Sequence, residues 1–340
     1  MKRLCMLLSF SISLLFIAGS IGFGISAAQN NTLFDTALER SVPYQLARSE
    51  YKTASEKLER IKTDPLAIKP ELLEAQLAAE ATRINLTASK LEVRKSLIRE
   101  LFAWQEATGT LELTKLKKSL FEANLNSALV RFKSGAINQL EVAKVEADAK
   151  SASIDQENAQ TDLEGAASLL TTRLGSLPNA NVTMGATEKP QRAPLEAALI
   201  NHPRVIDARA RLDRSKLDLE IKDNEYSAAV DVTNAKTTLI NAQKGFDDSK
   251  VIVKAVFSNA WDAYINAGKA IPVRERARGV AKEDLEAQQA RFKKGLVSKL
   301  SVQQAQLGFA QTESLLEQAQ HRLTLAVVDI SLAANNDLWK

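Results

Sequence analysis

Apolar residues recur at helical spacing over long, uninterrupted stretches of this chain. Between Pro70 and Pro178 no proline breaks the pattern, and the apolar positions fall three to five residues apart at Leu113, Leu116, Leu120, Leu125, Leu129 and Phe132. Mostly Glu, Lys, Gln, Asn and Ser separate them, which suits a solvated face. The spacing predicts amphipathic helices. One helix over residues 71–132 would be about 93 Å long at about 1.5 Å per residue, a length typical of coiled coils and helical tubes.

Residues that break helices predict where these rods reverse. Pro65 and Pro70 lie too close together for a helix to pass through both. Gly135 and Gly295 each follow a basic, apolar-rich helix end, where a tight turn needs glycine. The sequence therefore predicts antiparallel helices with reversals near residues 63–70, 133–138, 224–233 and 293–298.

Other helix boundaries are also visible. Pro203 suits the first position of a helix, with Asn201 or His202 near the cap. Gly175 opens an irregular stretch rich in Pro, Asn, Gly and Thr. Pro272 falls inside an otherwise helical pattern and predicts a kink or a local break.

The chain contains an internal repeat. The motif R-F-K-x-G at residues 131–135 recurs at 291–295, an offset of 160, and Pro43 and Pro203 are separated by the same interval. Trp104 pairs with Trp261 only if a gap of three residues is allowed. These matches predict a tandem duplication of helical hairpins. The predicted units are residues 29–190 and 191–340.

Residues 1–28 have the pattern of a secretory signal peptide. Lys2 and Arg3 precede a mostly apolar run over residues 4–18, and small residues follow at 26–28. An N-terminal membrane anchor is the alternative. Cleavage after residue 28 would remove Cys5, the only cysteine, and would lower the net charge from +4 to +2. We therefore expect an exported chain without disulfides.

Composition narrows the function classes. With 13 Gly, 8 Pro and 5% aromatic residues, the chain is poor in breakers and in aromatic side chains, which argues against β-sandwich and α/β nucleotide-binding folds. Two histidines and one cysteine argue against a His/Cys metal site and a histidine-based triad. We expect no enzyme, cofactor, metal or nucleic-acid partner. His202 is expected near a helix cap, His321 on an exposed face, and Trp104 and Trp261 in helix packing.

Residues 291–297, R-F-K-K-G-L-V, with Val302 and Ala305-Gln306 after them, resemble the helix-turn-helix tip of TolC-like outer membrane efflux proteins. The segment from Asn201 to Arg209 resembles the entry of that family's repeat, and Leu174-Gly175 resembles the helix end that closes it. The resemblance implies an all-α fold of long antiparallel hairpins in two tandem repeats, which form a coiled-coil, barrel-like tube. It further implies a homotrimer that joins a periplasmic adaptor and an inner-membrane pump, so that substrates leave the cell without chemistry.

The resemblance also assigns a docking role to the two tip turns. By this correspondence Gly135, Ala136 and Ile137 form one tip, and Gly295, Leu296 and Val297 form the other. Arg131 and Arg291 lie where a cation can cap a helix C-terminus or bridge to a neighbouring chain. The alternative interpretation is that each glycine makes an ordinary turn between two helices.

One departure from the family is large. The family places a β-hairpin between the first two helices of each repeat, and strands that cross a bilayer need about 9–11 residues each. Residues 64–70 and 224–233 are too short for such a hairpin, and Ala228 to Thr233 would make one short strand at most. We expect little or no β structure, and a location in the cell envelope, outer membrane-associated or periplasmic. The alternative function is an exported coiled-coil spacer or envelope tether with no conduit.

Overall fold

The computed structural model describes residues 27–179, 182 and 189–338, with side chains described from residue 32 onward. This part of the chain is helical, with short turns and no strand. Residues 1–26 of the predicted signal peptide lie outside the described residues. The helices are α1 (Ala27–Arg40), α2 (Val42–Thr63), α3 (Lys69–Lys133), α4 (Gln139–Leu174), α5 (Arg192–Ala198), α6 (Pro203–Lys222), α7 (Ala229–Lys293) and α8 (Lys299–Ala334), and a 3₁₀ turn (Leu199–Asn201) joins α5 to α6.

All four predicted reversals are confirmed. The linkers between consecutive long helices span residues 64–68, 134–138, 223–228 and 294–298. The short strand considered for Ala228 to Thr233 is wrong, because α7 begins at Ala229 and its backbone is helical from there. Of the kink or local break expected at Pro272, the break is absent, since the 65-residue helix α7 is continuous through this residue. Helix α7 packs along α8, and six residues after Pro272 the side chain of Arg278 contacts Glu313 of α8.

The two halves have matching helices. Helices α3 and α7 each have 65 residues, α4 and α8 each have 36, and the members of each pair begin 160 residues apart. This match supports the predicted duplication, whose boundaries at residues 29–190 and 191–340 stay a prediction. The gap of three residues proposed for the tryptophans is wrong. With equal helices, Trp104 corresponds to Tyr264 and Trp261 corresponds to Leu101.

Local sequence explains the helix ends. The ring Nδ1 of His202 accepts a hydrogen bond from the backbone N–H of Arg204, and Pro203 begins α6 as predicted. Gly175 ends α4 with a φ of 86°, and its N–H donates to the Thr171 carbonyl at 2.7 Å. This left-handed geometry is accessible to glycine at little cost.

The long helices pack side by side in a layer. Helix α3 packs against α4 on one side and α8 on the other, and α8 packs in turn against α7. Helices α2 and α6 extend the layer at the other end, where α2 packs on α3 and α6 packs between α3 and α7. In the half that contains the 134–138 and 294–298 turns, the order is therefore α4, α3, α8, α7. Helices α4 and α7 are its edges.

The buried residues form two clusters that follow this layer. One lies where α1, α3, α4 and α8 meet and includes Leu97, Leu101, Trp104 and Leu170. The other joins α5, α7 and α8 around Val253, Phe257 and Ile330, with Trp261 partly buried against it. The expectation that both tryptophans are packing residues fits their places in these clusters.

A buried ion pair ties the end of the chain to α3. Arg94 on α3 and Asp337, just after α8, have side chains that are 6% and 9% exposed, and the guanidinium hydrogen bonds to the carboxylate. Lys90 Nζ contacts the second carboxylate oxygen at 3.0 Å. Burial lowers the pKa of Arg94 from its ordinary value, and the Asp337 charge opposes that shift. Asp337 is thus the main counter-charge of this buried guanidinium, with a smaller contribution from Asp35.

Candidate functional site

The two tip turns have nearly the same backbone geometry. At the end of α3, the N–H of Ala136 donates to the Arg131 carbonyl at 2.8 Å, and the N–H of Gly135 donates to the Phe132 carbonyl at 2.9 Å. At the end of α7, Leu296 donates to Arg291 at 3.0 Å and Gly295 to Phe292 at 2.9 Å. This pair of bonds is the Schellman motif, which satisfies the last carbonyls of a helix.

Glycine is required in both turns by backbone conformation. Gly135 has a φ of 74° and Gly295 a φ of 70°, and a Cβ built at either position would meet no heavy atom within 4 Å. The constraint is therefore the left-handed backbone and not crowding. The next helix begins at once, because Asn138 caps α4 by accepting from the Glu141 N–H and Ser298 caps α8 by accepting from the Ser301 N–H.

Alanine at either tip glycine is expected to destabilise its turn. Gly135→Ala or Gly295→Ala should lower the free energy of unfolding by about 1–2 kcal/mol, the cost of a left-handed L-residue. Gly295→Asn is the matched control and should cost less, because Asn335 adopts a φ of 47° in the same motif after α8. Denaturant unfolding measures the difference, and equal stability of the alanine and asparagine variants would contradict this account of the turn.

Both tips lie at the same end of the layer. Helices α3 and α8 run antiparallel, as the contacts of Lys95 with Asp329 and of Glu106 with His321 show. The end of α3 therefore lies beside the beginning of α8. In both turns the arginine, the glycine and the residue after it are exposed, whereas Ile137 and Val297 are half-buried. The structure thus brings together the predicted tip residues Arg131, Gly135, Ala136, Ile137, Arg291, Gly295, Leu296 and Val297 as one terminal surface.

A second candidate surface is the edge formed by α7. Four large aliphatic side chains that are each more than 60% exposed lie on one face of this helix: Ile240, Val251, Val273 and Val280. At about 100° per residue they fall within about 60° of one another, and on average they point about 150° away from Val253 and Phe257, the buried side of α7. We call these four residues the α7 stripe.

The opposite edge, α4, has a similar feature. Leu140, Ile154 and Leu169 are 65%, 48% and 64% exposed and share one face of the helix by the same angular measure. Buried Leu170 and Leu174 lie on the other side, against α3. We call the three exposed residues the α4 stripe. A single chain thus presents apolar side chains to solvent along both edges of its layer.

The structure contradicts one sequence expectation about histidine. His321 was expected on an exposed face, but the residue is only 8% exposed. Its ring stacks on Phe102 with 3.8 Å between centroids, and Nδ1 lies 2.8 Å from Glu106 Oε1. Burial raises the pKa of the neighbouring Glu317, and the nearby His321 opposes this increase. The expectation failed because the polar residues around His321 in sequence lie on other faces of α8.

The two repeats also expose matched turns at the end opposite the tips. The backbone N–H of Leu66 donates to Asp64 Oδ1, and the N–H of Tyr226 donates to Asn224 Oδ1, each at 2.9 Å and 160 residues apart. Leu66 is 85% exposed and Tyr226 is 90% exposed. Sequence reasoning missed this correspondence, although the 160-residue offset and the Asp/Asn pair were both visible.

Neither a membrane-spanning helix nor a metal site is found in the part of the chain that the structure describes. No helix there is both long enough and apolar enough to cross a lipid bilayer. Among the same residues, no group of three or more His, Cys, Asp or Glu side chains is placed to hold a metal ion.

The architecture resembles that of solved bacterial channels. One of them is CusC, which forms a transmembrane channel. Its structure aligns with a TM-score of 0.67 at 16% sequence identity, and the alignment covers 92% of this chain and 96% of the CusC chain. The outer membrane protein VceC of Vibrio cholerae aligns at 0.64 with 14% identity over 92% and 97%. The MtrE outer membrane channel of Neisseria gonorrhoeae aligns at 0.64 with 15% identity over 90% and 89%.

The chain has the fold of TolC-like outer membrane efflux proteins. Sequence comparison alone does not reach this result, because no family model and no curated protein matches the chain. At these identities the likeness concerns the fold. It confirms the predicted TolC-like, all-α architecture of long helical hairpins.

Proposed function

We propose that three copies of this chain assemble into a TolC-like helical tube that serves as an efflux conduit in the cell envelope. The supporting observation is the pair of apolar stripes on the two edges of the layer. In a ring of copies, the α7 stripe of one chain meets the α4 stripe of the next, so both are covered. Such a head-to-tail contact closes into a ring when its rotation allows, and it buries apolar surface that a lone chain leaves in water.

Within this proposal the tube moves solutes without catalysing a reaction. The chain is exported, and the tube is associated with the outer membrane or lies in the periplasm. Its tip end, with Gly135 and Gly295 at the two turns, docks the hairpins of a periplasmic adaptor that connects to an inner-membrane pump. Similarity to solved channels supports the conduit, and the exposed, rigid tip turns support docking.

Engineered cysteines test the proposed contact between copies. Ile154 lies about 22 Å from the start of α4 and Val280 about 20 Å from the end of α7, so the two positions are at similar heights above the tips. A chain that starts at residue 29 has no cysteine of its own. We expect Ile154→Cys with Val280→Cys to give disulfide-linked species up to three copies and no larger.

A matched pair provides the control for cross-linking. Ile154→Cys with Leu66→Cys places one thiol at the opposite end of the layer and should give no disulfide-linked species. Native mass spectrometry of the unmodified chain should show three copies. The proposal would be contradicted by a chain that remains monomeric, or by equal yields of disulfide-linked species from the two cysteine pairs.

The short linkers favour a second candidate, an exported coiled-coil spacer or envelope tether. Only residues 64–68 and 223–228 connect the helix pairs at the end opposite the tips. A spacer needs no channel, so it predicts either an isolated chain or a solid bundle. The presence of a central channel separates the two functions.

A further inference from the structure

The tip end of this fold is strongly and unevenly basic. Residues 287–312, which contain the second tip, include four cations and no acidic residue. Residues 123–140, which contain the first tip, include two cations and no acidic residue. The chain as a whole has 45 cationic and 41 acidic residues. The lack of acidic residues is therefore a feature of the tip segments and not of the whole chain.

These cations are unpaired within the described part of the chain. The six are exposed, and none forms an ion pair with a described acidic side chain: Arg131, Lys133, Arg291, Lys293, Lys294 and Lys299. Farther up α7, by contrast, Arg278 contacts Glu313 at 2.9 Å and Lys282 contacts Glu286 at 3.9 Å. The tip charges therefore remain available to a partner.

Helix capping explains only some of them. Arg291 and Lys293 lie in the last turn of α7, where a cation is favoured by the helix dipole. Lys299 is the first residue of α8, where the dipole disfavours a cation, and α8 has no acidic residue in its first turn. Helix α4 has Glu141 in its first turn, and the residue that corresponds to Lys299 is Gln139. Stabilisation of a helix end therefore does not explain the charge of Lys299, nor that of Lys294 in the turn itself.

We propose that the tip end binds an acidic protein surface, with the second tip as the stronger site. The proposal rests on the proposed function for its premise that the tips face a partner, and it adds the chemistry of that partner. Complementary charge speeds encounter and selects among partners. In a three-copy ring the six tip cations of each chain would become eighteen.

The apolar content of the turns favours a protein over a lipid surface. Leu296 is 70% exposed in the second turn, and the exposed apolar side chains beside the turns, Val130, Phe132, Leu140 and Phe292, lie on three different helices and form no continuous face. Ile137 and Val297 are half-buried. A segment that binds in a membrane interface needs a continuous apolar face beside its cations, whereas two rigid turns suit the end of another hairpin.

Binding of model hairpins to the chain from residue 29 onward tests this proposal. The probe is a synthetic helical hairpin with glutamates at its turn, and its counterpart carries lysines there. Fluorescence anisotropy should show binding of the acidic hairpin only, weakened at least about tenfold between about 50 and 500 mM salt because exposed charges are screened. Lys294→Gln with Lys299→Gln should weaken binding about fivefold.

Matched variants and vesicles define the outcomes. Lys57→Gln with Lys236→Gln removes one exposed cation from α2 and one from α7, both far from the tips, and should leave binding unchanged. Equal binding of both hairpins, or no effect of the tip variant, would overturn the proposal. So would tip-dependent binding to phosphatidylglycerol vesicles without binding to the acidic hairpin, because the anionic partner would then be lipid.

Native mass spectrometry of the same samples separates this inference from the conduit. A three-copy assembly that does not bind the acidic hairpin would overturn the proposed docking chemistry but would agree with the proposed tube. A monomer that binds the acidic hairpin through Lys294 and Lys299 would overturn the tube and support the docking chemistry.

Discussion

Val273→Asp combined with Val280→Asp is expected to keep the chain monomeric. Both valines belong to the α7 stripe and are 66% and 63% exposed in the single chain, so the change should leave the fold of each copy intact. In the proposed ring they are buried against the α4 stripe of the next copy. Burying unpaired carboxylates costs several kcal/mol, so the assembly should weaken by more than about a hundredfold.

The control for this prediction uses equally exposed apolar residues outside the edges. Leu66→Asp with Tyr226→Asp alters the turns at the end opposite the tips, where the side chains are 85% and 90% exposed. Sedimentation velocity should find three copies for this control and one copy for the α7 variant, with equal helical content by circular dichroism. Assembly of the α7 variant to the same extent as wild type would contradict the edge contact.

Asp337→Asn is expected to lower the free energy of unfolding by about 3–5 kcal/mol. The substitution removes the main counter-charge of the buried Arg94 guanidinium and leaves only the smaller contribution of Asp35, and removal of one member of a buried pair carries a penalty of this size. Arginine cannot avoid the penalty by losing its proton under ordinary conditions. Denaturant unfolding at a fixed chain concentration measures the effect, since assembly also contributes to stability.

A second aspartate on the same side of α3 provides the comparison. Asp329 contacts Lys95 at 2.8 Å, but its side chain is 45% exposed. Asp329→Asn should therefore cost at most about 1 kcal/mol, as for other solvated pairs. Equal effects of the two variants would show that burial of the Arg94–Asp337 pair does not control its contribution.

Helix boundaries were predictable because single residues determine them. Pro65 and Pro70 cannot continue α2, and Gly135 and Gly295 supply the left-handed backbone of the tip turns. These constraints act over a few residues and need no knowledge of tertiary contacts. Pro272 shows the limit of the same logic, because α7, packed along α8, continues through a residue that favours a break or a kink in an isolated helix.

The burial pattern was less accessible from sequence. Helix α3 contacts α1, α2, α4, α6 and α8 at different heights, so its buried residues lie on several faces and no single stripe marks its inner side. His321 illustrates the consequence, because its burial depends on Phe102 and Glu106 more than 200 positions away in the sequence. A helix that changes neighbours along its length cannot be oriented from its own periodicity alone.

The candidate tip was located from sequence, but its charge was not interpreted. Repetition of the R-F-K-x-G motif placed both turns, and the structure shows them at one end of the layer. Counting net charge over the whole chain conceals that residues 287–312 contain no acid. A local count would have revealed the basic surface, whereas the absence of ion pairs at Lys294 and Lys299 required the structure.

Electron microscopy of the chain from residue 29 onward tests the central claim most directly. Negatively stained particles should appear end-on as rings of three-fold symmetry with a stain-filled centre. Side views should be at least about 100 Å long, since each 65-residue helix spans about 98 Å. Solid rods without a central channel, or isolated flat hairpins at concentrations where native mass spectrometry detects no assembly, would contradict the proposed conduit.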